Sequence, residues 1–331
     1  MSLTKSRLKL AIGLGATCSG CDIAILDLGE KLVDVFNSFD IVFWPTAQDQ
    51  KLDQLKDMPD GSIDVALYHG SLANSENLEI AEILRKKSKM LIAFGACACI
   101  GGIPGLANTT TASHLLETVY KTTLSTSNPD GILPSQETKV RGHVLVLPQK
   151  FDTVSCLSDV VDVDYYLPGC PPETELLEEA LKAIVSDNLP PRGAVLAPSR
   201  ILCDECPRKR EEKKISTIHR HHEVTPDPEK CLLDQGILCM GITTRAGCGA
   251  KCIAANIPCR GCMGPTSKVF DQGAKAVAAL ASIMGLEGEE QMSDADVKRL
   301  MDQIKDPLGI FYMFSLPSST LKRTITKMKR I

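Results

Sequence analysis

Short apolar runs closed by Gly, Pro or Asp recur through the first half of the chain: "LKLAIGLG" (8–15), "FDIVFWP" (39–45), "DVALYHG" (64–70), "MLIAFGA" (90–96) and "GHVLVLP" (142–148). Runs of this length that stay apolar rather than alternating predict strands buried on both faces of a parallel sheet. Between several of them the period changes. "DIAILDLGEKLVDVFNSF" (22–39) repeats apolar positions at three- and four-residue spacing, and "NLEIAEILRKKS" (77–88) does so with Lys and Arg in its last turn, where cations suit a helix terminus. Strands alternating with helices predict a doubly wound α/β domain, flavodoxin-like in outline.

In such sheets ligands bind beyond the carboxyl ends of the strands, and chemistry-bearing residues fall there. Cys18 and Cys21 follow the first run, Cys97 follows "LIAFGA", and Cys170 follows "DVDYYLPG". Glycines flank these thiols in "CSGC", "FGACACIGG" and "PGCPP", where they let backbone approach a bulky group and offer N–H donors. Pro171 directs Cys170 into an extended loop.

With 331 residues the chain is long enough for two cores, and the expected division is 1–190 and 191–331. Hydrophobic content of 44%, 24% charged residues and a net charge of −4 suit an ordinary globular protein and offer no general attraction to nucleic acid or anionic lipid. The apolar stretch "AVAALASIMGL" (276–286) has 11 residues, about half of a membrane span. "MSLTKSRLKLAIG" has neither a cleavable signal pattern nor an Arg-Arg pair, so a cytoplasmic location is expected.

That location makes metal or redox chemistry the expected use of the 14 cysteines, rather than disulfides. Six are scattered over the first 170 residues. Eight crowd into 203–262 as Cys203-x2-Cys206, 24 residues, Cys231, 7 residues, Cys239, 8 residues, Cys248-x3-Cys252-x6-Cys259-x2-Cys262. Eight ligands suit two four-ligand sites. Zinc ribbons also pair Cys-x-x-Cys, so zinc is one reading; the Cys206-Pro207 pair, seen in ferredoxin runs, points to iron–sulfur. A radical enzyme would need Cys-x3-Cys-x2-Cys, which the six residues after Cys252 break. For Cys18 and Cys21 a disulfide-exchange dithiol is the alternative. A nucleotide loop is not, because Cys18 stands where GxGxxG needs its third glycine.

Taken in order, "CSGC", "GACACIGG", "PGCPPETELLEEAL", "CDECPRKRE" and "CRGCMGPT", covering residues 18 to 266, resemble the small subunit of a nickel–iron hydrogenase, closest to methanogen-type members: the deazaflavin-reducing gamma subunit or the viologen-reducing subunit that feeds heterodisulfide reductase. The resemblance implies a proximal cluster on Cys18, Cys21, Cys97 and Cys170, a distal one on Cys203, Cys206, Cys231 and Cys239, and a medial one on Cys248, Cys252, Cys259 and Cys262. Respiratory members often have His where this chain has Cys203 and Pro where it has Cys252; all-cysteine sites imply three 4Fe-4S clusters. It further implies a large-subunit partner holding the nickel–iron centre, met by the loops at 15–22, 95–105 and 168–173, and an iron–sulfur or flavin acceptor subunit, heterodisulfide reductase among the candidates. The alternatives are an electron-transfer subunit of a complex I-type oxidoreductase and a zinc-stabilised binding module.

Other conspicuous residues have plainer readings. Cys99 and Cys156 read as small buried hydrophobes. His219, His221 and His222 lie in a charged, solvated stretch, "TSNPDGILPSQET" (126–138) is a turn-rich loop, and "SDADVKRLMDQI" (293–304) opens with a capping box as an exposed helix.

Overall fold

A computed structural model of the protein describes residues 7–211, 214–284 and 293–321. Five parallel strands form the central sheet: β1 (Leu8–Leu14), β2 (Phe39–Phe43), β3 (Ile63–His69), β4 (Ser88–Phe94) and β5 (Tyr165–Leu167), in the order β2-β1-β3-β4-β5. This is the flavodoxin-like doubly wound order. Because side chains alternate across a strand, each run serves two cores. Leu10, Ile12, Val65, Leu67, Ile92 and Phe94 face the helix Thr174–Val185 through Leu177 and Leu181. Ala11, Ala66, Tyr68, Leu91 and Ala93 face the helix Ser75–Lys87 through Ala81 and Leu84. Asn74 caps that second helix, its side chain accepting the Asn77 N–H at 2.9 Å, and Arg85, Lys86 and Lys87 occupy its last turn.

Two expected elements differ. The pattern over 22–39 does not make one helix: Gly20–Leu26 and Leu32–Ser38 are separate, divided near Gly29, whose φ of 58° belongs to the left-handed region. The run at 142–148 is not a sheet strand. His143–Val146 pairs antiparallel with Glu137–Val140 in an exposed hairpin, where Val144, Leu145 and Val146 are more than half exposed. The fifth position in the sheet goes to Tyr165–Leu167 instead, which continues the register of β4 and leads directly to Cys170.

Beyond residue 200 regular structure thins out. Three-residue turns (Leu202–Asp204, Leu233–Gln235, Met240–Ile242) and the short helix Lys251–Ala254 surround a separate core of Leu202, Ile237, Met240, Ile253, Leu280 and Phe311. The helix Gln272–Ile283, capped by Asp271, supplies its longest side. A further helix, Asp294–Met301, lies within the stretch expected at 293–304. Among the described residues no helix is long and apolar enough to cross a membrane.

Candidate metal centres

Cys18 and Cys21 stand where β1 gives way to the helix Gly20–Leu26, Cys97 stands on the short helix Gly95–Ile100 after β4, and Cys170 lies three residues beyond β5. The parallel strands β1, β4 and β5, with β3 lying between β1 and β4, therefore bring all four to the carboxyl end of the sheet. Burial, then the thiols of Cys97, Cys170 and Cys18, push Cys21 far above the ordinary thiol range. Burial, then Cys170 and Cys18, push Cys97 up to about 12, and Cys170 is raised by burial and by Cys18. Glycine makes the room. A Cβ on Gly95, itself at φ 86°, would lie 2.4 Å from the Cys21 sulfur, and one on Gly102 would lie 2.4 Å from that of Cys97. Cys18 and Cys170 remain exposed, so the set opens at the molecular surface.

Cys203, Cys206, Cys231 and Cys239 converge in the second region. Burial, then Cys239, Cys231 and Cys206, raise Cys203 to about 12; burial dominates in raising Cys239 to about 11, with Cys231 and Cys206 adding to it. The remaining four are strung out. Cys262 is raised to about 12 by burial, then by Cys248, Cys170 and Cys252, and its side chain packs against both cores of the first region. Cys259 is raised by burial, then by Cys239 and Cys262, and its N–H donates to the Cys239 sulfur at 3.4 Å. Cys262 thus lies near Cys170 as well as near Cys248 and Cys252, while Cys259 lies near both Cys262 and Cys239.

These donor sets fit an iron–sulfur group. Packed thiols that resist ionisation need a cationic core to draw off the charge, and all-sulfur sets select zinc or iron–sulfur. Among the described residues no three Cys, His, Asp or Glu side chains are placed to hold one metal ion together.

Cys99 and Cys156 sit apart from the openings. Both are buried, and the Cys99 thiol donates to the Ala93 carbonyl at 3.2 Å. His221 and His222 are exposed; His219 is half-buried, its backbone N–H bonded to the Gly236 carbonyl between Cys231 and Cys239.

Several supporting residues carry no motif and were not legible in the sequence. Arg208, buried behind Cys206, donates to the carbonyls of Asp227 (2.6 Å), Lys230 (2.9 Å) and Ile253 (3.1 Å) and to Asn256. One guanidinium therefore ties the backbone beside Cys231 to that beside Cys252. Glu205 accepts the N–H groups of Gly247 (2.9 Å) and Gly249 (3.1 Å) on either side of Cys248. Asp22 and His69, both buried, join behind Cys21. Arg208 itself opens a basic run, Arg208-Lys209-Arg210, directly after Cys206-Pro207.

Residues 18–184 match the protein family described as NADH ubiquinone oxidoreductase, 20 Kd subunit. Over nearly the whole length the chain is similar to the F420-non-reducing hydrogenase iron-sulfur subunit of Archaeoglobus profundus, 39% identical over 326 residues that cover 97% of this chain and 99% of that one. It is likewise similar to the F420-non-reducing hydrogenase vhu subunit of Methanocaldococcus jannaschii, 40% identical over 306 residues, 92% of this chain and 94% of that one. Among solved structures it shares its fold with a chain of the recombinant [NiFeSe] hydrogenase of Desulfovibrio vulgaris Hildenborough, at a TM-score of 0.51 and 16% identity over 80% of this chain and 96% of that one.

Proposed function

Because the chain belongs to the family of F420-non-reducing hydrogenase iron–sulfur subunits, we propose that it is the electron-transfer small subunit of a nickel–iron hydrogenase, working in the cytoplasm. Three 4Fe-4S clusters are held by Cys18, Cys21, Cys97 and Cys170 (proximal), by Cys248, Cys252, Cys259 and Cys262 (medial), and by Cys203, Cys206, Cys231 and Cys239 (distal). The proximal set belongs to a domain over 1–190 and the other two to a domain over 191–331. A partner large subunit splits dihydrogen, and an acceptor subunit, of iron–sulfur or flavin type or a heterodisulfide reductase, takes the electrons.

The observation that carries this reading is the order of the thiols in space. Cys262 lies against Cys170, and Cys259 lies against Cys239, so the medial set touches the proximal one at one end and the distal one at the other. Bound iron–sulfur clusters supply one-electron chemistry at potentials set by charge, hydrogen bonding and exposure. The chain's own residues fix the spacing: the strand ends hold the first ligands, Arg208 and Glu205 hold the later loops, and Cys262 packs against both cores of the first region. The exposed side of Cys18 and Cys170 suits the loops at 15–22, 95–105 and 168–173 to a contact with the large subunit.

The 20 Kd family match covers the first region alone and taken singly fits a complex I-type subunit. The likeness to the hydrogenase iron–sulfur subunits spans both regions and favours the hydrogenase.

Iron and acid-labile sulfide analysis of anaerobically prepared protein tests the proposal, with about 12 of each expected per chain from three four-iron clusters. Stoichiometric zinc with little iron would overturn it and favour a zinc-stabilised module.

A further inference from the structure

Between Cys18 and Cys21 the chain turns at Ser19, a residue other than glycine held at φ 61°. Such a backbone persists only where its surroundings over-determine it, and here those surroundings lie outside the thiols. Thr17 Oγ1 accepts the Ser19 N–H at 3.2 Å and lies 3.3 Å from His69 Nδ1. The other ring nitrogen, Nε2, lies 3.2 Å from Asp22 Oδ1, which also accepts the Trp44 indole N–H at 2.8 Å. An ionised carboxylate only accepts, so Nε2 carries a proton toward Asp22. His69 is itself anchored at the end of β3, where its carbonyl accepts the Gly15 N–H at 2.7 Å.

One imidazole therefore touches the residue before Cys18 and the residue after Cys21. Both His69 and Asp22 are almost wholly out of water, at 0% and 2% exposure, where charge and hydrogen bonds are weakly screened.

We propose that His69 is a positioning residue for the proximal cluster: it staples the two flanks of the Cys18–Cys21 loop to β3 and fixes the Asp22 carboxylate beside the ligands, so that the pair sets both the loop's shape and the cluster's reduction potential. This rests on the assignment of a cluster to Cys18, Cys21, Cys97 and Cys170. Asp22 contributes a fixed negative charge next to Cys21, and net charge and hydrogen bonding near the sulfurs are what move such potentials.

The test is redox titration followed by electron paramagnetic resonance on the full chain, purified anaerobically within its hydrogenase complex, with iron counted in each sample. Asp22→Asn keeps the shape and an acceptor for Trp44 but removes the charge; it should raise the midpoint potential of the proximal signal and leave the medial and distal signals in place. His69→Leu cuts both contacts and should alter the line shape of the proximal signal, or release proximal iron alone. His69→Gln keeps a donor toward Asp22 and should restore part of the wild-type signal. If a proximal signal is present in the wild type and unmoved in both Asp22→Asn and His69→Leu, the staple is wrong and the electron-transfer reading stands. If the wild type carries no cluster on these four thiols, both fall.

Discussion

Cys97 stands on a helix that follows a strand buried on both faces, whereas Cys239 stands at the start of a three-residue turn whose neighbours are loops. The first region brings its thiols together by sheet topology: the carboxyl ends of β1, β4 and β5 deliver Cys21, Cys97 and Cys170 as a by-product of burying Leu10, Leu67, Ile92 and Leu167. The second has no sheet of its own among the described residues. Its backbone pairs only at single bridges such as Ile201 with Arg245 and Thr244 with Pro265, and the thiols are themselves part of the apolar core, Cys259 buried within it and Cys206, Cys239 and Cys248 packed against it. A scaffold that exists apart from its ligands differs from one the ligands help to build. On the proposed assignment of clusters, the first region would bind its cluster to an existing fold, whereas in the second the binding free energy of clusters would in large part be folding free energy.

The largest expected effect breaks that comparison directly. Stripping iron with a chelator under reducing conditions should collapse hydrogen-exchange protection across 201–284 while the amides of β1, β3 and β4 stay protected. Equal loss in both regions would show that the sheet also depends on its cluster.

Next in size is a cut through the sheet. Leu91 is fully buried between β4 and the helix Ser75–Lys87, and Leu91→Ala should cost about 3 kcal/mol in unfolding free energy. Because the ligand loops lie beyond the strand ends, the iron content of the folded fraction should stay unchanged.

Arg208→Met sharpens the contrast from the other side. It leaves the carbonyls of Asp227, Lys230 and Ile253 without their donor, a loss of about 2 kcal/mol or more. Iron should be lost from the distal and medial sets before the proximal one, which separate spectroscopic signals would show.

The smallest effect is pH-dependent. The Asp271 carboxylate accepts the N–H groups of Ala274 and Thr320 at 2.9 Å each, and although burial works to raise it, these bonds hold it below the usual carboxylate range. A carboxyl depressed in the folded state stabilises above its unfolded value, and that stabilisation is lost as pH falls through the folded value. Acid titration should therefore loosen the helix Gln272–Ile283 before the sheet. Asp271→Ala should remove about 1 kcal/mol at neutral pH together with that acid-dependent step, measured by denaturant unfolding at stepped pH.

Much of this protein could be read from its residues in order. The apolar runs at 8–15, 39–45, 64–70 and 90–96 name four of the five sheet strands, because a strand buried on both faces must be apolar at every position whatever its partners. The cysteine spacing separates six scattered thiols from eight crowded into 203–262 and pairs the near neighbours, because a Cys-x2-Cys loop is local. The run "HVLV" carries the same strand signal yet lies in an exposed hairpin, while the fifth sheet position went to three residues, "YYL". A β-forming run states its conformation and not its neighbour, and the register of β5 on β4 is a long-range choice. The division at Gly29 was likewise hidden under a helical period that continues on both sides of it.

What the tertiary structure alone decided lies between residues far apart in the chain. The bonds that join Asp22 to Trp44 and to His69 span 22 and 47 positions, and Arg208 reaches 45 positions to Ile253. Each of these side chains, read by itself, is an ordinary polar residue. Burial turns them into cross-links between distant segments, because out of water a polar group must find a partner, and only the folded chain determines which partner is within reach. The placement of Cys262 against Cys170, and of Cys259 against Cys239, is of the same kind. Spacing pairs near neighbours, but only the packing of one region against the other brings Cys262 of the late group against both cores of the first region.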